Sequence, residues 1–308
     1  EGDPAGPEER SEGAERRRSG EEDSPVSGTL RTGVEFDSNS LRTDLDDDGG
    51  DGLVRYFLNL RGEFPGAGDS EVSVGLRQGG KLFFRKRGAD ALLTQLDLRY
   101  RHRLSRVLFG TFRADMKDRR ERRRGPGADV PHQDYNRGGA EGGIGLSKGK
   151  IFARLAAGWR YFAFRPNPAS SSHGPQATAS LSVQVHENVR LRSLYNFAYR
   201  NFEAIRFVRR SVGGGEEVVQ RARDGSRRDD MLHMVRLGGS FRGSFIFEAY
   251  YTLLRNVSNS YGQAMTRHGL EVDATVPLFW ELYLSGKLRL QRTNYEDPLF
   301  LSADLKVD

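Results

Sequence analysis

A two-residue periodicity between residues 176 and 202 constrains the fold of this chain more than any other feature. In 176–185 alanine, leucine and valine alternate with threonine, serine and glutamine, and after a break at 186–188 the alternation resumes. The second run places aromatic residues such as Tyr195 on one side and arginines such as Arg192 on the other. A period of two predicts strands, here an antiparallel pair joined by a tight turn. An apolar face backed by arginines fits a wall between lipid and water.

The same pattern recurs along the chain and predicts about fourteen strands, within a range of twelve to sixteen. These strands are longer than the usual soluble length of about five or six residues, and no fixed repeat suggests a propeller or solenoid. The alternative is a large soluble antiparallel sheet. The predicted strands cover residues 29–36, 53–64, 72–84, 92–104, 108–117, 138–146, 150–165, 176–185, 189–200, 231–241, 245–255, 269–278, 281–291 and 299–307.

Composition is compatible with strands that cross a membrane. Hydrophobic residues make up 36% of the chain, and the mean hydropathy is −0.65. No apolar run reaches the roughly 18 residues of a spanning helix, but only every second residue of a spanning strand meets lipid. We therefore predict an all-β fold, a transmembrane antiparallel up-and-down β-barrel.

Loop lengths alternate along the predicted barrel. Connections after odd-numbered strands are mostly long and polar, and those after even-numbered strands are short. This asymmetry is typical of bacterial outer-membrane barrels with the short turns in the periplasm, so both termini are predicted to be periplasmic. Residues 1–27, charged and poor in apolar side chains, predict a disordered periplasmic tail, and residues 28–308 the barrel. With no leader at its start, the chain is expected to be a mature form whose signal peptide has been removed.

The segment Gly33-Val-Glu-Phe-Asp-Ser-Asn39 resembles the first strand and loop of Gram-negative, porin-like outer-membrane β-barrels. Such barrels include those of polysaccharide-export and surface-lipoprotein assembly systems. The resemblance implies outer-membrane lipid and lipopolysaccharide as surroundings, and periplasmic or outer-membrane complex subunits as partners. Two features depart from it. The tail is too short for the helical repeats of the machinery barrels, and the chain ends at Asp308 rather than at a terminal Phe or Tyr, so either the chain is truncated or its assembly signal is atypical.

The polar faces of the predicted strands are charged, which predicts a wet lumen that favours anions. The alternative is a lumen closed by arginine–carboxylate pairs that compensate one another. The predicted lumen-lining residues are Arg55, Arg61, Arg99, Arg101, Arg113, Arg154, Arg160, Arg190, Arg192, Arg200, Arg236, Lys287, Arg289, Glu35, Asp97, Asp115, Glu248, Glu271 and Asp273. The long loop 203–229 has the length to fold into such a lumen.

Aromatic residues near strand ends predict girdles at the two membrane interfaces. The residues assigned to these girdles are Tyr100, Trp159, Tyr161, Tyr195, Tyr199 and Trp280.

One loop carries metal-ligand spacing. Asp44, Asp46 and Asp48 precede a glycine in the D-x-D-x-D-G arrangement that converges on Ca²⁺. The twelfth position of such a loop is Arg55 instead of glutamate, so a solvated acidic loop is the alternative. No other cofactor is predicted.

The sequence gives no support for an enzyme or for a nucleic-acid partner. The chain has no cysteine, and its histidines lie outside any GxSxG-like context, so no enzyme is predicted. The net charge of +6 is spread through strands and loops, which argues against nucleic-acid binding. The leading hypothesis is a pore or conduit for polar solutes, anions among them. The alternative is a structural or assembly subunit that anchors an envelope-spanning secretion, polysaccharide-export or surface-motility complex in the outer membrane.

Overall fold

The computed structural model describes residues 24–37, 50–85, 90–121, 134–212, 216–280 and 282–297. Almost all of the described residues are in β-strands, and among them there is one short 3-10 helix, at Pro168–Ser170. The strands are β1 Val26–Asp37, β2 Asp51–Pro65, β3 Ser70–Phe83, β4 Ala91–Arg103, β5 Leu108–Glu121, β6 Tyr135–Lys148, β7 Ile151–Phe164, β8 Ser172–His186, β9 Val189–Ile205, β10 Phe207–Val212, β11 Glu216–Arg221, β12 Arg227–Arg242, β13 Ile246–Ser258, β14 Met265–Pro277 and β15 Tyr283–Tyr295.

Thirteen of these strands form one sheet in the order β1 to β9 and then β12 to β15. Each strand of this sheet pairs antiparallel with the next strand of the same sheet, and β9 pairs with β12, so the topology is up-and-down. The first thirteen predicted strands are thus confirmed, although most extend beyond their predicted ends. The fourteenth, 299–307, lies outside the described residues, as does nearly all of the predicted tail. Strand β1 begins within that tail, at Val26.

The prediction of an unstructured connection over residues 203–229 is wrong in part. β9 continues to Ile205, β12 begins at Arg227, and β10 and β11 pair with each other as a separate two-stranded sheet. The hairpin is anchored to the β13–β14 connection, because Phe207 N–H donates to Ser260 Oγ (2.9 Å) and Tyr261 N–H donates to Phe207 O (3.0 Å).

Directly opposed residues of neighbouring strands lie on the same face of a sheet, so the pairing register sorts every strand residue onto one of two faces. The apolar face contains Leu58 of β2, Leu96 of β4 and Leu155 of β7. The charged face contains Arg55, Arg99 and Arg154 of the same strands. The two outermost strands, β1 and β15, are exposed along nearly their whole length because each has a neighbour on one side only.

Two glycines on the charged face lie where the backbone of a neighbouring strand approaches closely. A Cβ at Gly158 would lie 2.0 Å from Ala140 O, and one at Gly174 would lie 2.0 Å from Tyr199 O. Only glycine permits such a close approach of the neighbouring backbone. Backbone crowding over the charged face is what a sheet curved towards that face produces.

Candidate functional site

The charged face collects every residue that the sequence assigned to a lumen. Following the pairing from β1 to β15, all nineteen residues named above for that role fall on this one face, and none falls on the apolar face. Their common face is a finding, whereas their contact with a lumen stays a prediction.

Sequence reasoning missed several charged residues of the same face. They alternate with apolar residues just as the predicted set does, so the two-residue period would have found them. They are Arg31, Arg77, Lys81, Lys117, Arg137, Glu141, Arg242 and Arg267.

One end of the charged face, in β12–β15, is held by a dense ion-pair network around Glu271. Its carboxylate lies 2.6 Å from Lys287 Nζ, 3.3 Å from Arg289 Nη2 and 3.4 Å from Arg236 Nη2. Lys287 also lies 3.4 Å from Asp273. Three cations here pair with two carboxylates. This is the charge pairing of the alternative given in the sequence analysis, whose closed lumen stays a prediction.

The middle of the charged face, in β4–β7, also pairs its carboxylates. Glu141 accepts from Arg154 at 2.7 Å, Asp97 lies 3.5 Å from Arg99, and Asp115 lies 3.9 Å from Arg160. Each of these three carboxylates therefore has an arginine of its own. On the face as a whole, arginine and lysine outnumber aspartate and glutamate, so the paired arrangement leaves positive charge over.

The apolar face has a different composition along its central band. No Asp, Glu, Lys or Arg occurs there in the part of the chain that the structure describes; such residues, for example Arg120 and Arg255, lie only at strand ends. Many apolar side chains of this face are exposed, Leu155 to 61% and Leu181 to 43%. A continuous exposed apolar face of this size requires a covering partner.

Five of the six predicted girdle aromatics project from the apolar face: Tyr100, Trp159, Tyr161, Tyr195 and Tyr199. Trp280 instead lies in the short β14–β15 connection, at a positive φ of 52° and 90% exposed. An interfacial role for all six stays a prediction.

Histidines on the apolar face are partnered by aromatic residues. The Tyr195 hydroxyl lies 2.9 Å from His233 Nδ1, and the Tyr251 hydroxyl lies 2.6 Å from His268 Nδ1. These contacts give a ring nitrogen of each histidine a hydrogen-bond partner on an otherwise apolar surface. They give the histidines a structural reason to be there, and the sequence alone did not reveal it.

The connection between β11 and β12 is fixed by local hydrogen bonds. The hydroxyl and backbone N–H of Ser226 donate to Asp224 Oδ1 at 2.7 and 3.0 Å, and Arg206 lies 3.6 Å away from the same carboxylate. The Ser226 hydroxyl bond, followed by its backbone bond, lowers the pKa of Asp224 below its usual value.

Metal ligation finds no support in the described ranges, where His, Asp and Glu residues form no cluster of three or more able to hold an ion. The predicted calcium ligands Asp44, Asp46 and Asp48 lie outside these ranges. Across the same ranges, no helix has the length and apolarity needed to cross a membrane.

No protein-family model matches this sequence, and no curated protein matches it. Among solved structures, the chain is similar to the crystal structure of the toluene transporter TbuX of Ralstonia pickettii. The two share 9% sequence identity over 89% of each chain, with a TM-score of 0.30. Similarity at this level carries no argument about the fold or function of this chain.

Proposed function

We propose that this chain is an outer-membrane β-barrel that acts as a pore for polar solutes, with a preference for anions. One observation carries the proposal: a long antiparallel sheet with one face free of Asp, Glu, Lys and Arg along its central band and the opposite face lined by them. Lipid accepts the first face and excludes the second, because a charged side chain facing the bilayer midplane costs roughly 2–4 kcal/mol. Water must therefore lie on the charged side.

Curvature and strand direction support closure into a barrel. The close backbone approach on the charged face at Gly158 and Gly174 supports a bend towards that face, which would enclose the charges. With thirteen alternating strands, β1 and β15 run in the same direction, so direct pairing of the two edges would be parallel. One further strand between them restores antiparallel pairing throughout. This parity favours the predicted strand 299–307 and a total of fourteen, an even number as in bacterial single-chain barrels.

Connection lengths support the proposed orientation. The turns at 66–69, 104–107, 149–150 and 187–188 are short, and those at the other end of the strands, such as 38–50 and 122–134, are longer. Periplasmic turns of outer-membrane barrels are the short ones. We place the β1 end of the chain in the periplasm on this ground, with outer-membrane lipid and lipopolysaccharide as surroundings.

The excess of cations on the charged face supports a preference for anions. Rings of arginine and lysine in a water-filled passage lower the energy of an anion there and raise that of a cation. We propose passive conduction, without catalysis and without a cofactor.

The test is conductance across planar bilayers that contain the purified full chain. We expect steady conductance that prefers anions. In R192E and R99E the reversal potential should shift towards the value expected for a cation-selective pore. Arg106, exposed in the short β4–β5 connection, supplies the control R106E, which carries the same charge change away from the face and should leave selectivity nearly unchanged. Absence of conductance from folded protein would reject the pore, and co-purification of envelope subunits in that case would favour the anchor interpretation.

A further inference from the structure

The apolar face of β12–β15 carries cations at one end only. Arg255 of β13 and Arg292 of β15 lie on this face, near the long-loop end of their strands. At the short-turn end of the same strands the face has only apolar side chains: Phe241, Phe247, Val276 and Leu284. The surroundings of this face therefore differ between its two ends.

The pairing register places the two arginines on either side of β14. Arg255 lies opposite Thr266 of β14 and, on its other side, opposite His233 of β12. Arg292 lies opposite His268, the next residue of this face of β14 after Thr266. From strand spacing and rise, the Cα atoms of Arg255 and Arg292 are roughly 12 Å apart. Two long side chains can reach one ligand across that distance.

Both arginines lie near one edge of the charge-free band. Arg255 is eight residues beyond Phe247, and Arg292 is eight residues beyond Leu284. At the usual strand rise and tilt, eight residues climb roughly 20 Å, whereas the apolar band of an outer-membrane barrel is about 25 Å tall. With Phe247 and Leu284 at one boundary of the band, each guanidinium group extends to the other boundary, where lipid headgroups begin.

The carboxylates near these arginines hold them weakly. Glu296 lies 3.6 Å from Arg255, and the two side chains are 54% and 60% exposed, so this surface pair contributes little and opens readily. Arg292 donates to Asn294 Oδ1 at 3.2 Å and has no ion pair among the described residues. Asp229, farther out on β12, accepts a hydrogen bond from β9 at 2.8 Å. Both arginines are exposed, so a ligand can reach them from outside the sheet.

We propose that Arg255 and Arg292 bind the phosphate groups of lipopolysaccharide in the outer leaflet. Guanidinium groups form two parallel charge-assisted N–H···O bonds with a phosphate. The acyl chains of the same lipid then cover exposed apolar side chains of the band, such as Leu237 and Leu288. The inference rests on the proposed placement in the outer membrane and deepens it by naming the residues that hold a lipid.

The one-sided distribution favours this lipid over an ordinary phospholipid. Phospholipids can carry phosphate at either membrane surface, so they give no reason for arginines at one end alone. Lipopolysaccharide occupies the outer leaflet, and the long loops place Arg255 and Arg292 there in the orientation proposed above.

The test uses the full chain in detergent and native mass spectrometry with lipid A, the phosphate-bearing anchor of lipopolysaccharide. The wild type should bind lipid A at least about tenfold more tightly than dephosphorylated lipid A. R255Q/R292Q should weaken lipid A binding at least about tenfold, because each lost charge-assisted contact is a strong one. The matched control R31Q/R77Q removes two arginines of the charged face and should change affinity less than about threefold.

Two single variants guard against a folding defect in the double variant. Arg292 and Arg267 lie near the same end of neighbouring strands, but Arg267 is on the charged face, where it donates to Thr293. R292Q should weaken lipid A binding about threefold or more, and R267Q should change it less than about twofold.

Three results would overturn the site. They are equal binding of lipid A and its dephosphorylated form by folded wild type, equal losses in R255Q/R292Q and R31Q/R77Q, and equally tight binding of phosphatidic acid, which would assign the arginines to phospholipid. Conductance is measured separately. Conductance without phosphate-dependent lipid binding would leave the pore and reject the site, whereas phosphate-dependent binding without conductance would leave the site and reject the pore.

Discussion

The two faces of the sheet belong to the same strands and the same backbone hydrogen bonds, but they carry different kinds of side chain. On the apolar face of the described strands, Asp, Glu, Lys and Arg are absent from the central band, and His233 and His268 each have a tyrosine hydroxyl within hydrogen-bonding distance. On the charged face, carboxylates are matched to arginines, as Glu141 is to Arg154 and Glu271 to Arg236, and arginine and lysine outnumber aspartate and glutamate. The backbone hydrogen bonds are common to both faces, so they cannot cause this difference in side chains. The surroundings of each face must account for it.

The largest effect should come from adding one charge to each face at neighbouring positions. Ala179, on the apolar face, and Ser180, on the charged face, are consecutive and lie near the middle of β8. A179R should destabilise the protein folded in lipid vesicles by about 2–4 kcal/mol, because its guanidinium would face acyl chains. S180R should cost under about 1 kcal/mol. Denaturant titrations of both variants measure the difference, and equal costs would remove the distinction between the faces.

Curvature towards the charged face predicts the next effect. G158A introduces a methyl group 2.0 Å from Ala140 O, whereas G142A, on the apolar face of the adjacent strand, meets nothing within 4 Å. We expect G158A to lower the free energy of unfolding by about 1–3 kcal/mol and G142A to change it by less than about 0.5 kcal/mol. If both are tolerated, the backbone does not crowd over the charged face.

Two ion-pair sites of the charged face differ in how exposed their side chains are to solvent, so the cost of breaking each can be compared. E271Q removes the negative charge that Arg236 and Arg289 share and leaves Lys287 with Asp273 alone, in a site where the glutamate is 23% exposed. We expect a cost of about 1–2 kcal/mol. E35Q breaks the Glu35–Arg55 pair, whose side chains are 42% and 49% exposed, and should cost less than about 0.5 kcal/mol. The same denaturant titrations rank the two variants. A larger loss in E35Q would contradict the network around Glu271.

The smallest effect concerns hydrogen bonds on the apolar face. Y195F removes the hydroxyl that lies 2.9 Å from His233 Nδ1 and should cost about 0.6 kcal/mol, typical of a side-chain hydrogen bond within a bilayer. The control Y161F removes a hydroxyl without a hydrogen-bond partner among the described residues and keeps the ring that covers Gly138. Y161F should be neutral, and a cost as large as that of Y195F would show that the His233 contact contributes nothing specific.

Much of this architecture could be predicted from the sequence because a two-residue period determines both the strands and their faces. That period assigned residues such as Arg99 and Glu271 to one face before any register was known. It could not predict their partners, because a register shift of two residues keeps every face and changes every ion pair. The network around Glu271 therefore required the structure.

The hairpin β10–β11 could not be predicted from a two-residue period. Phe207–Val212 and Glu216–Arg221 are short and carry adjacent like residues, Arg209 with Arg210 and Val218 with Val219, so they have no two-residue period. Their pairing depends on the connecting turn and on contacts with Ser260 and Tyr261. The glycine run between the two segments was the available signal for a hairpin.

The most direct test of which face meets lipid uses spin labels. The native chain has no cysteine, so single cysteines introduced one at a time at positions 177–184 can each carry a nitroxide on protein reconstituted in lipid bilayers. Collisions with oxygen, which concentrates in the bilayer, and with a water-soluble nickel complex are then compared at each position. We predict a period of two, with 177, 179, 181 and 183 accessible to oxygen and 178, 180, 182 and 184 accessible to nickel. The reverse phase, or uniform access along the strand, would contradict the account.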